Sequence, residues 1–270
     1  MSVITISRGS FSGGLMLAEC LCERLRYRSV GREEIVERAA RSGISAQELA
    51  DALDKPPSLL ERLQHKKYLY LAVIQAALAE EVRSGKAVYH GTAGHLLLKG
   101  GGPVLRLRVV APMEFRIEQS RQRLGLSRAA AIRHIHKVDK ERRKWSRFLY
   151  DVDWQDPSLY DLVINLEHIN IHLACDIVST TVRKRGCFEF NAECRRSMDD
   201  FARASRVRAD LALNPATGDL ELGVTAQNGT VCVTGRILRP EQLREIERVS
   251  TAVEGVTAVD TSGIIWPTPD

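Results

Sequence analysis

The chain has 270 residues, 44% hydrophobic and 27% charged, with a formal net charge of +5. That is enough apolar chain to bury a core in one or two domains. No run approaches the ~20 apolar residues of a membrane-spanning helix, so an integral membrane protein is excluded; the opening lacks an export-signal pattern, which makes a cytoplasmic location the expectation.

In chain order, Val3–Ile6 is a short β-branched run that predicts a buried strand, followed by the Ser/Gly-rich turn of residues 7–14. A helix follows, with Leu17, Leu21 and Leu25 at a spacing of four. Residues 33–41 and 46–53 read as short helices around Ser42-Gly43, Lys55-Pro56-Pro57 breaks the chain, and 59–83 reads as a long amphipathic helix with Leu69, Val73, Ala77 and Leu78 in the core. Residues 87–90 and 104–111 read as strands around a short helix (95–98) and the Gly100–Pro103 loop. Residues 112–145 are helical with a break at Gly125-Leu126-Ser127, where Ser127 can cap the next helix. A turn at 154–157, a strand at 162–164 and a helix at 169–183 complete an alternating pattern. Such alternation implies a mostly parallel sheet covered on both faces, an α/β fold.

The pattern changes at residues 186–196, the expected linker between a domain at 1–185 and a smaller one at 197–263. In the second, a helix at 198–213 precedes two strands around Asn228-Gly229, a strong hairpin signal. A helix at 241–253 and a strand at 257–262 complete an αββαβ unit, and the two modules are expected to fold separately. Six cysteines, Cys20, Cys22, Cys175, Cys187, Cys194 and Cys232, form no CxxC and read as thiols in a reducing compartment.

Charge is unevenly placed. Residues 197–270 hold 7 Lys/Arg and 11 Asp/Glu, whereas residues 114–147 hold 11 Lys/Arg and 4 Asp/Glu. A localised basic segment suits an anionic ligand at one site. Nucleic acid is a weak candidate, because only Phe115 and Trp145 interleave aromatics with that segment.

A strand, a glycine-rich turn and a helix start aim backbone N–H groups at one point, which suits a phosphate. The usual loop adds a lysine and a hydroxyl, and here Gly14 and Leu15 stand in their places. Taken alone, the loop reads equally as a phosphate site and as a plain strand-to-helix turn.

Ser7-Arg8-Gly9-Ser10-Phe11-Ser12-Gly13-Gly14, Val138-Asp139-Lys140-Glu141-Arg142, Asp153-Trp154 and the run from Asp156 to Asn165 together resemble the cytidylate kinase-like family over about residues 1–183. The resemblance implies a P-loop kinase-like fold, a nucleoside monophosphate kinase activity, and ATP with Mg²⁺ as cofactors. It implies Gly9, Ser10, Ser12, Gly13 and Gly14 for the phosphates. Arg8, Arg116, Arg123, Asp139 and Arg142 become the catalytic candidates, with Asp139 placing Arg142 one turn along its helix, and Arg121 and Asp161 the candidates for substrate. Phe11 replaces the loop's first glycine, Thr92 an arginine after the third strand, and Gly31 an aspartate. These departures favour a second reading, a catalytically impaired nucleotide-binding regulator. His90 and His95, beside Gly91–Gly94, read as structural first, and no metal-ligand set is expected.

Residues 224–235 and 253–259 resemble a BON domain. The resemblance implies a binding module of unknown ligand or protein partner with no catalytic residues, and the acidic balance speaks against an anionic lipid surface.

Overall fold

A computed structural model describes residues 2–54, 66–184, 188 and 191–266. The Lys55–Pro57 break, residues 59–65 of the long predicted helix, and Cys187 lie outside the described residues. Strand β1 is Val3–Arg8, α1 Gly14–Leu25, β2 Arg28–Val30, α2 Arg32–Ala40, α3 Ala46–Asp54 and α4 Lys66–Val82. Then follow β3 Ala87–Tyr89, α5 Gly94–Leu97, β4 Val104–Val110, α6 Met113–Leu124 and α7 Arg128–Tyr150. A 3₁₀ turn at Pro157–Leu159, β5 Leu162–Asn165 and α8 Ile171–Arg183 close the first part. The sequence reading passed over β2, whose three residues are too few to show a period.

The five strands form one sheet in the order β2-β3-β1-β4-β5, and every pairing is parallel. Strand residues alternate between faces, and β1 shows it. Val3 packs into a cluster with Val30 of β2 and with Ile35, Leu49, Ile74 and Leu78 of α2, α3 and α4. Ile4 and Ile6 face the other way, onto Leu17 and Leu21 of α1 and Val178 of α8. Each of those two leucines is fully buried, worth about 1.5–3 kcal/mol apiece relative to exposure. With β1 central, the loop that leaves it lies over the middle of the sheet, at the carboxyl ends of the strands, where open sheets bind ligands.

The second part comprises α9 Ala192–Leu213, β6 Leu222–Gln227, β7 Thr230–Arg236, α10 Pro240–Thr251 and β8 Ala258–Ile265. β6 pairs antiparallel with β7, and β7 pairs parallel with β8. The hairpin turn puts Asn228 at φ 51° and Gly229 at φ 84°, as a two-residue turn with a matching twist requires. The buried Asp200 carboxylate accepts from the Asn228 and Gly229 amides at 2.6 and 3.1 Å.

Helix α9 serves two cores. Ala204, Val207 and Leu211 pack with Val224, Val231, Ile246 and Ile264 of the small sheet. Met198 and Ala209 belong to the core of the first part, with Phe201, Ala212 and Leu213 packed against it. Arg83 at the end of α4 donates to Asp199 at 2.5 Å, and Arg208 bridges Gln75 of α4 (3.1 Å) and the Val224 carbonyl of β6 (3.0 Å).

Candidate functional site

β1 ends at Arg8 and the chain turns through Gly9–Gly13 into α1. Gly13 adopts φ 83°, the left-handed region that favours glycine, and the first turn of α1 leaves its N–H groups without intrahelical partners. Gly14 carries the side chain of Arg8 over it: a Cβ there would lie 2.7 Å from Arg8 Cδ. The Ser12 hydroxyl turns inward and donates to the carbonyls of Gly9 and Val109, both at 3.1 Å. It therefore pins the loop to β4.

The basic helix pair closes over this loop. Arg116 of α6 donates through Nε to the Ser10 carbonyl at 2.7 Å and pairs with Asp139 of α7 at 2.6 Å. The other Asp139 oxygen accepts from the Ser10 amide and hydroxyl at 3.3 and 3.1 Å. Arg142, one turn on, donates to the Arg8 carbonyl. Asp139 thus ties α6, α7 and the loop together, where the sequence suggested a partnership with Arg142. Burial pulls the Arg8 guanidinium below its ordinary pKa, with Arg123 adding repulsion. Arg8, Arg116 and Arg142 are brought together. Arg121 and Arg123 are exposed, and Arg121 pairs with Glu118 on the outer face of α6.

Asp161 is placed elsewhere. It precedes β5, at the end of that strand away from the loop, where it accepts from the Arg106 amide at 2.8 Å and from the Arg106 guanidinium at 2.6 and 3.2 Å. The pairing holds its carboxyl below the usual range although burial alone would raise it. Its position suits fastening β4 to β5, not contact with a ligand over the loop.

Beside the loop opens a cavity of about 270 Å³, lined among others by Arg8, Arg32, His90, His95, Arg142 and Trp154. Its floor is built by tight packing. Tyr89 fills the space over Gly91 and Gly94, where a Cβ would meet its ring or hydroxyl within 2.4 Å. Trp145 of α7 donates its indole N–H to the Ala52 carbonyl at 2.6 Å, fastening α7 to α3. His90 shares a 3.0 Å hydrogen bond with Ser29, and burial, with Arg8 nearby, lowers its pKa. Sequence reasoning missed Arg32, Trp145 and Trp154 as cavity walls, because their approach depends on the fold of α2, α3 and α7.

The residues fit nucleotide phosphates: amides of the loop and of the first turn of α1, with three guanidinium groups around them. They do not offer a protein-held Mg²⁺. Positions 14 and 15 are Gly and Leu, Ser12 is committed to carbonyls, and no group of three His, Cys, Asp or Glu among the described residues could hold a metal.

Comparison with known proteins agrees with this geometry. The cytidylate kinase of Methanocaldococcus jannaschii is 25% identical over 183 residues, 67% of this chain and 97% of its own. That of Staphylothermus marinus is 27% identical over 189 residues, 68% of this chain and 98% of its own. An uncharacterized protein from Eubacterium ventriosum superposes with a TM-score of 0.54 at 18% identity, over 68% of this chain and all of its own; that likeness shows the fold alone. Residues 199–266 match the BON domain. Residues 3–168 match the cytidylate kinase-like family, and the chain belongs to that family.

Proposed function

We propose that this chain is a nucleoside monophosphate kinase, cytidylate-like, that holds ATP phosphates at the Gly9–Gly14 loop and passes the γ-phosphoryl group to an acceptor in the adjoining cavity. The observation that carries the reading is the convergence of Arg8, Arg116 and Arg142 from three different elements on one loop. Phosphoryl transfer needs positioning and positive charge on the transferring group more than covalent chemistry. Arg116 donates to the Ser10 carbonyl and pairs with Asp139, and Arg142 donates to the Arg8 carbonyl, so both guanidinium groups are held beside the loop. Mg²⁺, where bound, supplies charge neutralisation on phosphate oxygens; phosphates and water would be its ligands here.

The test is a coupled assay across the common nucleoside monophosphates, with ATP binding followed separately by thermal shift. An arginine acting on the transferred group is worth about 10³–10⁵ in rate, so Arg142→Ala should lose acceptor-dependent ADP release by at least that lower factor while ATP still stabilises the protein. A wild-type rate in Arg142→Ala sinks the assignment of Arg142. ATP binding with no turnover for any acceptor hands the case to the regulator reading. One observation favours that second reading: the Asp139 carboxylate already holds the Ser10 amide and hydroxyl, groups a phosphate would otherwise engage.

A further inference from the structure

Phe11, in the middle of the loop, stands at φ 59°, a left-handed conformation that is an outlier for a bulky side chain. Residues held in this way persist only where their surroundings over-determine them, and they gather at ligand clamps and switch regions. The surroundings of Phe11 are the helix pair. Buried Ile117 of α6 and buried Ala131 and Ile135 of α7 form a small cluster of their own, against which Phe11 packs with Met113, Leu126 and Ile132. The Phe11 ring also lies 5.8 Å from that of His134 on α7. Among the described residues, Phe11 is the one member of this cluster from outside residues 113–135.

Polar contacts from the same two helices hold the residues just before it. The Arg116 guanidinium lies against Gly9, where a Cβ would be 3.3 Å from Arg116 Cζ. One Asp139 oxygen accepts from the Ser10 amide at 3.3 Å and from its hydroxyl at 3.1 Å. The other accepts from Arg116 at 2.6 Å. A carboxylate that accepts from a loop amide and a serine hydroxyl makes the bonds that a phosphate oxygen would make there. Two anions so close repel, the more so away from water, so the carboxylate and a phosphate cannot share the Ser10 donors. While Asp139 holds Ser10, the loop carries an anion of its own.

We propose that Phe11 and Asp139 form an autoinhibitory clasp. The Phe11 ring seats α6 and α7 on the loop, and the Asp139 carboxylate occupies the Ser10 donors until the triphosphate of a nucleotide displaces it. This rests on the loop being a phosphate site, as in the proposed function. Phe11 acts through the helix pair and is a positioning residue. A clasp lowers the apparent affinity for nucleotide by the fraction of molecules in which it is open. Loosening it therefore tightens binding. That sign separates it from a residue that only keeps the loop in shape, whose loss would weaken binding or leave it unchanged.

The experiment measures binding of ATP, and of inorganic triphosphate as a probe without a base, by calorimetry on the full chain. Wild type is compared with Phe11→Ala, Phe11→Leu and Asp139→Asn. Phe11→Ala keeps a Cβ at the left-handed position and removes the ring, and it should bind both probes about 10-fold more tightly, as release from an open fraction of about one tenth requires. Asp139→Asn keeps an oxygen for Ser10 but not the charge, and it should gain likewise. Phe11→Leu retains apolar bulk and should bind as wild type does. Combining Phe11→Ala with Asp139→Asn should gain less than the product of the two single gains, since both open one clasp. Should one variant fail to fold, the other carries the same test. A folded Phe11→Ala or Asp139→Asn that binds ATP no more tightly than a binding-competent wild type overturns the clasp and leaves the kinase reading standing. Tighter binding without turnover for any acceptor spares the clasp and counts against the kinase reading. No binding of either probe, in wild type or variants, overturns both.

Discussion

Gly13 shows how the effect of a substitution can differ from what the loop pattern suggests. The loop pattern suggests that a β-branched side chain at position 13 would crowd a phosphate and spare the fold. The structure places a Cβ there 2.7 Å from Leu166 Cδ1 and 3.3 Å from Ile171 Cδ1, at φ 83°, so the side chain would enter the core. Gly13→Val should therefore cost about 2–4 kcal/mol, from left-handed strain and overpacking together; an unchanged denaturant midpoint would contradict this. His95 gives a second prediction at this scale. Its pKa falls from an ordinary 6.5 to about 3 in the fold, so between those values the unfolded chain binds the extra proton. Its contribution is complete above pH 6.5 and is lost as pH falls toward 3, at up to ~1.4 kcal/mol per pH unit. His95→Phe should flatten the acid side of a stability–pH curve between pH 6.5 and 4.5, and an equally steep curve would show that the ring is not buried neutral. The sequence placed His95 at a strand's ligand-binding end and ranked it as structural; its contact with Tyr160, far along the chain, was not legible there. Asp161 stands at the start of its strand, paired with Arg106, whereas ligands of open sheets gather at the carboxyl ends.

Among the elements, those with local signals were legible and those defined by packing were not. Ser127 was readable as a cap from the Gly125–Ser127 break, and its Oγ accepts from the Ala130 amide at 3.3 Å. Ser127→Ala should cost about 1 kcal/mol, seen as a small drop in melting temperature that Ser127→Asp restores. Asn228-Gly229 was readable because the turn demands positive φ at both positions. The Arg116–Asp139 bridge was not, since it joins residues 23 positions apart on two different helices, and nothing in either helix alone selects that pair among eleven cations. The second apolar face of α9 was hidden for the same reason. Met198→Ala, at a fully buried site, should destabilise by about 2–5 kcal/mol, measured by chemical denaturation.

For the whole molecule, α9 changes the expectation that the two modules fold apart. A fragment of residues 195–270 would bare Met198, Phe201, Ala209 and Leu213, which pack against the larger core. The full chain should melt in one calorimetric transition that Met198→Ala shifts as a unit; two transitions, with only one displaced, would show independent folding. The strand order has a further consequence, in time and not in space. Val3 pairs with Ala87 and Val104, so the central strand is made first and must wait for both neighbours. At ~5–20 residues per second of synthesis, it emerges on the order of 5–20 s before its second partner exists. Throughout that interval the loop at its end has no sheet beneath it.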